Sequence, residues 1–286
     1  MANASDSLAP LRREIDSIDE DLHDLLMRRA EIVGQVGRLK ASDGGPTFRP
    51  AREAQLLRRL LARHEGALPP EVIVRLWREI VASSTRLQGA FSVAYSSIDG
   101  NSDTLHLANL QFGIDADVLR FASAMQVIAA VARGEASVGL VSFPQNSDTP
   151  EWWAEMDNVP EVQIVARLPW YVTAADIENM AGAFVISEGA PEESGSDRSV
   201  FTFACDDDVS QARFAELASK NKLDVETLAV TAWPDGSGSC THLVDVAGFV
   251  TVDDTRVRGL AAFLGDAEVH LLGAYAVPFI DLSDTE

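Results

Sequence analysis

A long amphipathic pattern near the N-terminus limits the folds that are open to this chain. Over residues 8–41, apolar side chains recur at steps of four and three, the spacing of a helix seam that is meant to be buried. The seam positions are Leu11, Ile15, Ile18, Leu22 and Leu25. The pattern stops at Ser42-Asp43-Gly44-Gly45-Pro46 and predicts one helix about 50 Å long.

Two shorter helices are predicted after this long one. The second begins near Arg49-Pro50 and runs to about His64. The third starts after Pro69-Pro70, where a first-turn proline is well placed, and runs to Gln88. Because helices of such unequal length cannot cover one long seam, we expect two chains to pair over it. The helical region is therefore predicted to be an obligate dimer.

Two cations interrupt the apolar seam of the first helix. The seam position after Leu25 is Arg29, and the position one turn beyond Val36 is Lys40. They are about 20° apart in angle and roughly 16 Å apart along a helix, so both point the same way. Buried cations are costly and need an anionic partner, which could be a bound ligand. There are two alternatives to a bound ligand. The cations could form ion pairs within the protein, or their side chains could reach solvent where the seam is frayed.

Polar residues also enter the apolar faces of the other two helices. The inward stripe of the third helix continues through Ser84 to Gln88. In the second helix, Arg52 and Glu53 stand on the edge of the apolar face. All three helices thus bring polar groups to one apolar interface.

Arg12 lies beside the seam of the first helix, about 100° around the helix axis from Arg29. It is badly placed to serve the same site within its own helix. In a paired dimer it could instead serve the site of the other chain.

Residues 8–90 resemble the all-helical class of chorismate mutases. The segments LRREIDSIDEDLHDLLMRR, VGRLK, RPAREAQLL and IVASSTRLQ occur in the order and at the spacing of that family. The resemblance implies an all-α domain of helices intertwined in a homodimer. It also implies that the dicarboxylate chorismate binds at the helix interface and that no cofactor is needed.

The resemblance assigns catalytic roles to four residues. Arg29, with Arg12 from the partner subunit, would pair with the two carboxylates of the substrate. Lys40 and Gln88 would donate hydrogen bonds to the ether oxygen.

Three further residues are implied as substrate ligands. Ser84 would help to hold a carboxylate, Glu53 would bind the ring hydroxyl, and Arg52 would support that end of the site. Arg49 stands where relatives often have an acid, and its role is left open.

These residue types suit the rearrangement of chorismate to prephenate. The reaction is pericyclic and needs no nucleophile, metal or proton transfer. It is helped by holding the substrate in its compact reactive conformer and by stabilising negative charge on the ether oxygen as that bond breaks. Arginine suits the first task, because it can grip a carboxylate with two parallel hydrogen bonds.

The net charge of −21 is unevenly distributed over the 286 residues. Residues 1–90 hold 14 Lys/Arg and 13 Asp/Glu, which leaves 9 and 31 for residues 91–286. The acidic surface predicts that the chain binds neither nucleic acid nor anionic membranes.

The chain has no apolar run of membrane-spanning length and no apolar signal core at its start, so we expect a cytoplasmic protein.

Cys205 and Cys240 are the two cysteines of the chain. They lack the CxxC and Cys/His spacings that are typical of zinc or redox sites. The sequence therefore predicts two reduced thiols and no metal site.

From Phe91 onward, short apolar runs typical of strands replace the helical pattern. These runs are SVAYSS, ASVGLVSF, VQIVARLPWYV and GAFVISEG, with a helix predicted over residues 122–133. After a linker at residues 192–196, strands and helices alternate as a βαββαβ unit, predicted as one sheet with two helices on one face. The predicted fold is multi-domain, with an all-α domain at 1–91, an α/β lobe at 92–191 and an α+β domain at 197–286.

The two later regions also resemble known families. Residues 92–190 resemble one lobe of prephenate dehydratases, through FASAMQVIAAVARGEASVGLVSFPQNSD. The final unit, with DRSVFTF and LLGAYAVP, resembles the ACT domain that follows the dehydratase and senses phenylalanine. This order predicts a descendant of a fused mutase and dehydratase.

The motifs of the dehydratase are missing. In place of the family's Thr-Arg-Phe the chain has Gly182-Ala183-Phe184, which offers neither a hydroxyl nor a guanidinium group. The region also has room for only one of the two lobes that form a dehydratase cleft. Asn146 and Ser147 match the last two residues of the family's Glu-Asn-Ser, and Gln145 stands in place of the acid. A turn at a strand end is the alternative interpretation. We predict a region without dehydratase activity.

Phenylalanine sensing is predicted to be lost for similar reasons. The ACT domains of dehydratases use Gly-Ala-Leu at the first helix and Glu-Ser-Arg-Pro on the next strand. This chain has Ser210-Gln211-Ala212 and Thr231-Ala232-Trp233-Pro234 at those places. The unit could still pair with its copy in a second chain by sheet extension.

The sequence thus predicts a cytoplasmic, dimeric chorismate mutase of the phenylalanine and tyrosine pathway. One alternative is an isochorismate-pyruvate lyase, which reuses this helical fold and a similar cationic pocket. Another is a regulatory protein without catalysis. The retained polar seam residues argue against the second alternative, because an inactive site has no reason to keep charges in an apolar interface.

Overall fold

The chain begins with three helices and continues as a mixture of strands and helices. The computed structural model describes residues 4–43, 46–96, 103–144, 152–173, 182–206, 209–233 and 238–281. The helices are α1 (Ala4–Asp43), α2 (Pro50–Ala62), α3 (Pro70–Gln88), α4 (Asp103–Phe112), α5 (Ala124–Ala132), α6 (Trp153–Met156), α7 (Gln211–Lys220) and α8 (Thr255–Phe263). The strands are β1 (Ser92–Ser96), β2 (Asp117–Phe121), β3 (Val138–Ser142), β4 (Val162–Leu168), β5 (Tyr171–Thr173), β6 (Ala183–Glu188), β7 (Asp197–Cys205), β8 (Val225–Ala232), β9 (Cys240–Ala247), β10 (Glu268–Ala276) and β11 (Phe279–Asp281).

The three helices predicted at the N-terminus are confirmed, with ends that differ by a few residues from those expected. Helix α1 includes Pro10 within its first turns and ends two residues later than predicted. Its seam is not covered within the single chain, because Leu11, Ile15 and Leu25 are 55, 56 and 62 % exposed. No helix in the described part of the chain combines the length and the apolar character needed to cross a lipid bilayer.

The chain divides into two compact units. The first unit contains Met1–Phe48 and Ala82–Ala90, so it joins α1 to the last turns of α3. The second unit contains Arg49–Val81 and Phe91–Glu286, which is α2, the start of α3 and the whole α/β region. These units are defined by which residues pack together, whereas the boundaries predicted from the sequence lie between motifs. The predicted boundaries stay a prediction.

A sheet of nine strands organises the second unit. The strand order is β2-β1-β3-β6-β4-β10-β7-β9-β8, and the short strands β5 and β11 pair separately. Strands β2, β1 and β3 are parallel, and β10, β7, β9 and β8 are antiparallel neighbours. The predicted βαββαβ element order is confirmed. The α/β lobe and the βαββαβ region share this one sheet, although the sequence pattern predicts two separate domains.

Gly273 permits the pairing of β4 with β10 that joins the two parts of the sheet. The residue pairs with Ile164, and the register of β10 against β7 shifts just before it. Its φ of +142° suits glycine alone, and a Cβ atom here would overlap the backbone N and O atoms of Ile164. The sheet is continuous because this position has no side chain.

Two hydrophobic clusters lie on opposite faces of β7, whose side chains alternate. Phe201 and Phe203 face helices α7 and α8 in one cluster, which confirms the prediction of two helices on one face. Val200 faces the other cluster, together with Phe184 of β6 and Tyr275 of β10. That second cluster contains residues from both parts of the sheet.

A buried polar network also links the two parts of the sheet. The Tyr275 hydroxyl donates to Asp245 Oδ2, and Arg198 Nε donates to Asp245 Oδ1 at 2.8 Å. From β4, Arg167 Nη1 donates to the Tyr275 hydroxyl at 3.3 Å. Burial raises the pKa of Asp245, although the charge of Arg198 opposes this shift. These contacts satisfy a carboxyl group that has no access to water.

We predict that Gly273→Ala lowers the free energy of unfolding by more than about 3 kcal/mol, because it adds a steric overlap to backbone strain. The matched control is Gly265→Ala. Gly265 has a φ of +79° and open space around its Cβ position, so this change reports strain alone, about 1–2 kcal/mol. Denaturant unfolding followed by circular dichroism measures both values. Equal losses would contradict the close approach of β4 and β10.

Candidate active site

Arg29 lies on α1 beside the last turns of α3, inside the first unit. Its Nη1 atom donates to Oγ of Ser84, which is itself buried. The guanidinium is half-buried, and this burial lowers the pKa of Arg29. Within the described ranges, no carboxylate lies close enough to form an ion pair with Arg29. The described residues therefore do not supply the internal ion pair that was an alternative.

Gln88 at the end of α3 is held against α1. Its Nε2 atom donates to the Ser84 carbonyl at 3.0 Å, and its Oε1 atom is buried without a hydrogen-bond partner in the described residues. A Cβ atom on Gly37 would lie 3.0 Å from Gln88 Cα, so a larger residue here would push the two helices apart. The amide carries a second N–H, which can donate to a ligand.

Lys40 lies in the last turn of α1 and is partly buried. Its Nζ atom donates to the Pro46 carbonyl at 2.6 Å, so it contacts the segment that follows the helix. An ammonium group has three N–H donors, so Lys40 can take part in more than one hydrogen bond. The first unit thus contains Arg29, Lys40, Ser84 and Gln88.

Arg12 is exposed near the start of α1. It precedes Arg29 by about 26 Å along the helix axis, which is more than the reach of both side chains. Within one chain Arg12 and Arg29 therefore cannot bind the same small dianion.

Glu53 is buried in the second unit, on α2. Its Oε1 atom accepts from Arg78 Nη1 at 2.7 Å, and its Oε2 atom accepts from Gln111 Nε2 at 3.1 Å. Arg78 Nη1 also donates to Gln111 Oε1, which closes a triad from α2, α3 and α4. Burial raises the pKa of Glu53, and the neighbouring Arg78 partly opposes that rise. Arg52, by contrast, is exposed.

The partners of Glu53 were not found by sequence reasoning. Arg78 and Gln111 are 25 and 58 residues away from Glu53, and Gln111 belongs to a region with a different resemblance. Arg78 is a single charged residue on the inner part of α3, and one such residue is too weak a pattern to predict a partner for Glu53. Arg49, whose role was open, forms an exposed ion pair with Glu192, at 2.9 Å between Nη2 and Oε1.

The segment in place of the dehydratase motif lies in the sheet. Ala183 and Phe184 are on β6 with 1 and 0 % exposure, so they are part of the hydrophobic core. Asn146 and Ser147 lie outside the described residues.

The segments in place of the phenylalanine-binding motifs have local structural contacts. Ser210 caps α7, because its side chain accepts from the backbone N of Arg213 at 3.3 Å. Trp233 Nε1, just after β8, donates to Thr241 Oγ1 at 3.0 Å. Pro234 lies outside the described residues.

The helical region is similar to a known family of proteins. Residues 11–89 match the family model for chorismate mutase type II. The chain is 34 % identical to the bifunctional chorismate mutase/prephenate dehydratase of Pseudomonas aeruginosa over 148 residues, 50 % of this chain and 40 % of that protein. It is 42 % identical to the T-protein of Enterobacter agglomerans over 79 residues, 27 % of this chain and 21 % of that protein.

A solved structure shares the fold of the larger region. The structure described as GqqA, a novel type of quorum-quenching acylase, has a TM-score of 0.50 and 16 % identity, and the match covers 66 % of this chain and 96 % of that one. This likeness concerns the fold alone. The chain spans less than half the length of the curated relatives that it matches.

We predict opposite effects of alanine at two glycines of α1. Gly34→Ala should stabilise the helical unit by up to about 1 kcal/mol, because only Arg38 Nη1 lies near its Cβ position, at 3.8 Å. Gly37→Ala should destabilise it by about 1–3 kcal/mol, because the methyl group would displace the backbone of Gln88. Thermal unfolding by circular dichroism separates the two. A stabilising Gly37→Ala would show that the helices are not in close contact.

Proposed function

We propose, from the type II chorismate mutase domain at residues 11–89, that this chain converts chorismate to prephenate. The observation that carries the proposal is Arg29. It is half-buried and bound to Ser84, and no carboxylate among the described residues neutralises it. A dianionic substrate would supply the missing negative charge.

The chemistry requires that the substrate be held compact. One carboxylate of chorismate would accept hydrogen bonds from Arg29 and Ser84, whose side chains already contact each other. The charge-assisted bonds would restrict the flexible enolpyruvyl ether to conformers near the reactive one. Fixing the conformer removes part of the entropic barrier to the rearrangement.

Negative charge would develop on the ether oxygen as its bond breaks. Lys40 and the second N–H of Gln88 would donate to this oxygen. Because Gln88 is already held by the Ser84 carbonyl and by close packing on Gly37, little reorganisation would be needed. No step requires a nucleophile or a proton transfer.

A homodimer would complete the site. The α1 seam is largely exposed in the single chain, and long exposed apolar seams mark association surfaces. A second chain on this seam would cover it. The same chain would supply Arg12 for the second carboxylate, since a chain's own Arg12 is too far along the helix from its Arg29.

Glu53 and Arg52 are proposed at the ring end of the substrate. Each oxygen of Glu53 accepts one hydrogen bond, from Arg78 or from Gln111. A carboxylate has about four lone-pair positions, so Glu53 could still accept from the ring hydroxyl. In this assignment, Arg78 and Gln111 orient the carboxylate.

The C-terminal region is proposed to lack dehydratase activity. Gly182 and Ala183 stand where the dehydratase resemblance places the catalytic threonine and arginine, and neither has a polar side-chain atom. Ala183 is buried in the core. The βαββαβ unit, with strand order β10-β7-β9-β8, is proposed as an ACT-like domain without the phenylalanine-binding segments. The net charge of −21 disfavours binding to nucleic acid, and a cytoplasmic location is part of the proposal.

We expect the purified chain to consume chorismate and to form prephenate, detected by acid conversion to phenylpyruvate. Lys40→Ala should lower kcat by about 10²–10³-fold, because it removes a donor to the developing charge. Arg29→Ala should lower kcat/KM by at least about 10²-fold. The matched control is Arg28→Ala, an exposed neighbour on α1 whose loss should leave turnover unchanged. Pyruvate release from isochorismate without prephenate formation from chorismate would favour the lyase instead.

Mixing two inactive variants tests the shared site in the same assay. A heterodimer of Arg12→Ala and Arg29→Ala chains has one intact site and one site with both changes. Random exchange at equal concentrations should therefore restore about a quarter of the wild-type activity. No recovery, with exchange verified by mass spectrometry, would show that Arg12 does not act across the dimer.

We expect no acceleration of prephenate decay at neutral pH. Prephenate incubated with the full chain should yield phenylpyruvate at the rate seen in buffer, because the required polar groups are missing. A bifunctional mutase/dehydratase serves as the positive control. Faster phenylpyruvate formation would overturn the loss of the second activity without affecting the first.

A further inference from the structure

We propose that Cys205, Cys240 and His242 form a Zn²⁺ site in the C-terminal part of the sheet. The sequence alone predicts two reduced thiols and no metal site, because the cysteines lie 35 residues apart without a zinc-type spacing. The fold brings both thiols and an imidazole together. The proposal is independent of the mutase chemistry.

The two cysteines face each other across neighbouring strands. Cys205 is the last residue of β7, Cys240 is the first residue of β9, and the antiparallel register pairs them directly. His242 follows two residues later on β9 and therefore shares a face of the sheet with Cys240. The pairing of β7 with β9 thus brings together two cysteines that are far apart in the sequence.

The three side chains already have nearly the spacing of metal ligands. The two sulfur atoms and one ring nitrogen of His242 all lie within 4.8 Å of one another. In a tetrahedral zinc site with bonds of about 2.0–2.3 Å, the ligand atoms are roughly 3.5–3.8 Å apart. Rotamer shifts of about 1 Å would suffice to enclose the ion.

The imidazole is held in place by its surroundings. His242 Nε2 hydrogen-bonds to the Val209 carbonyl at 2.8 Å, and the ring stacks on Phe214 with centroids 4.6 Å apart. Backbone hydrogen bonds of this kind orient histidine ligands in metal sites. The orientation of the ring is therefore set by α7 and by the loop before it.

Charge and ligand chemistry favour zinc. Cys205, Cys240 and His242 have exposures of 0, 3 and 0 %, so an uncompensated divalent ion would be very costly here. Two thiolates and a neutral imidazole balance the charge of Zn²⁺, and the two thiol protons leave to solvent on binding. Sulfur and imidazole ligands select zinc over magnesium or calcium. Three protein ligands leave the fourth position for a water molecule.

Cobalt titration of the full chain tests the proposal. The reduced, chelator-treated protein is titrated with Co²⁺, a spectroscopic substitute for zinc, and then with Zn²⁺. Because the chain contains two cysteines, a sulfur-to-cobalt charge-transfer band must come from Cys205 or Cys240. We expect a band that saturates at one Co²⁺ per chain, together with tetrahedral visible absorption, and loss of both on addition of Zn²⁺.

Matched histidine variants identify the third ligand. His242→Asn should abolish the one-to-one binding, whereas His270→Asn should retain it, because His270 lies on β10 outside the cluster. Cys205→Ser should lose most of the charge-transfer intensity. Circular dichroism reports whether each variant folds, and the wild-type titration decides the question if Cys205→Ser or His242→Asn does not.

Three results would overturn the proposal. One is the absence of a charge-transfer band in reduced, folded wild-type protein. Another is an unchanged band in folded His242→Asn. The third is a Cys205–Cys240 disulfide that persists under the reducing conditions of the titration. Turnover of chorismate, measured on the same samples, is expected to be equal with and without Zn²⁺.

Discussion

The contact of β4 with β10 at Gly273 is the constraint on which the second unit depends. A side chain at this position would overlap the backbone of Ile164, so the strands can pair only where the chain has glycine. The continuous sheet then allows one hydrophobic cluster to extend over strands from both parts. It also places Arg167 within hydrogen-bond distance of Tyr275 and, through it, of the Asp245 network. The α/β lobe and the βαββαβ region therefore share one core.

A similar close approach organises the candidate active site. Gly37 lets α1 contact the end of α3, and this contact fixes Gln88 beside the turn that carries Ser84. Arg29 then reaches Ser84 from the neighbouring helix. The charge on Arg29 is partly desolvated, which carries a free-energy cost that the proposed dianionic substrate would offset. Packing and electrostatics thus act together, because the helices must be close for the cation to be buried.

Much of the first unit could be predicted from local patterns. Helical periodicity and the stop signals gave the extent of α1 to within a few residues, and the misplaced cations in its seam gave Arg29 and Lys40. Pairings between distant residues could not be predicted in this way. The hydrogen bonds of Glu53 with Arg78 and Gln111 join three helices, and no periodicity relates their positions. The joining of the two predicted domains into one sheet was missed for the same reason.

The sequence by itself determined the order of helices and strands and the polar residues that interrupt the apolar faces of the N-terminal helices. It also determined the absence of polar side chains at residues 182–184. These features are local, since they depend on neighbouring side chains and on the periods of helix and strand. The tertiary structure decided which distant groups meet. Cys205 and Cys240 show the difference, because isolated thiols in the sequence become direct neighbours once β7 and β9 pair. The register of two strands is set by which faces of the sheet are buried in the core. The pattern of residues along one strand does not show which residues of another strand lie opposite.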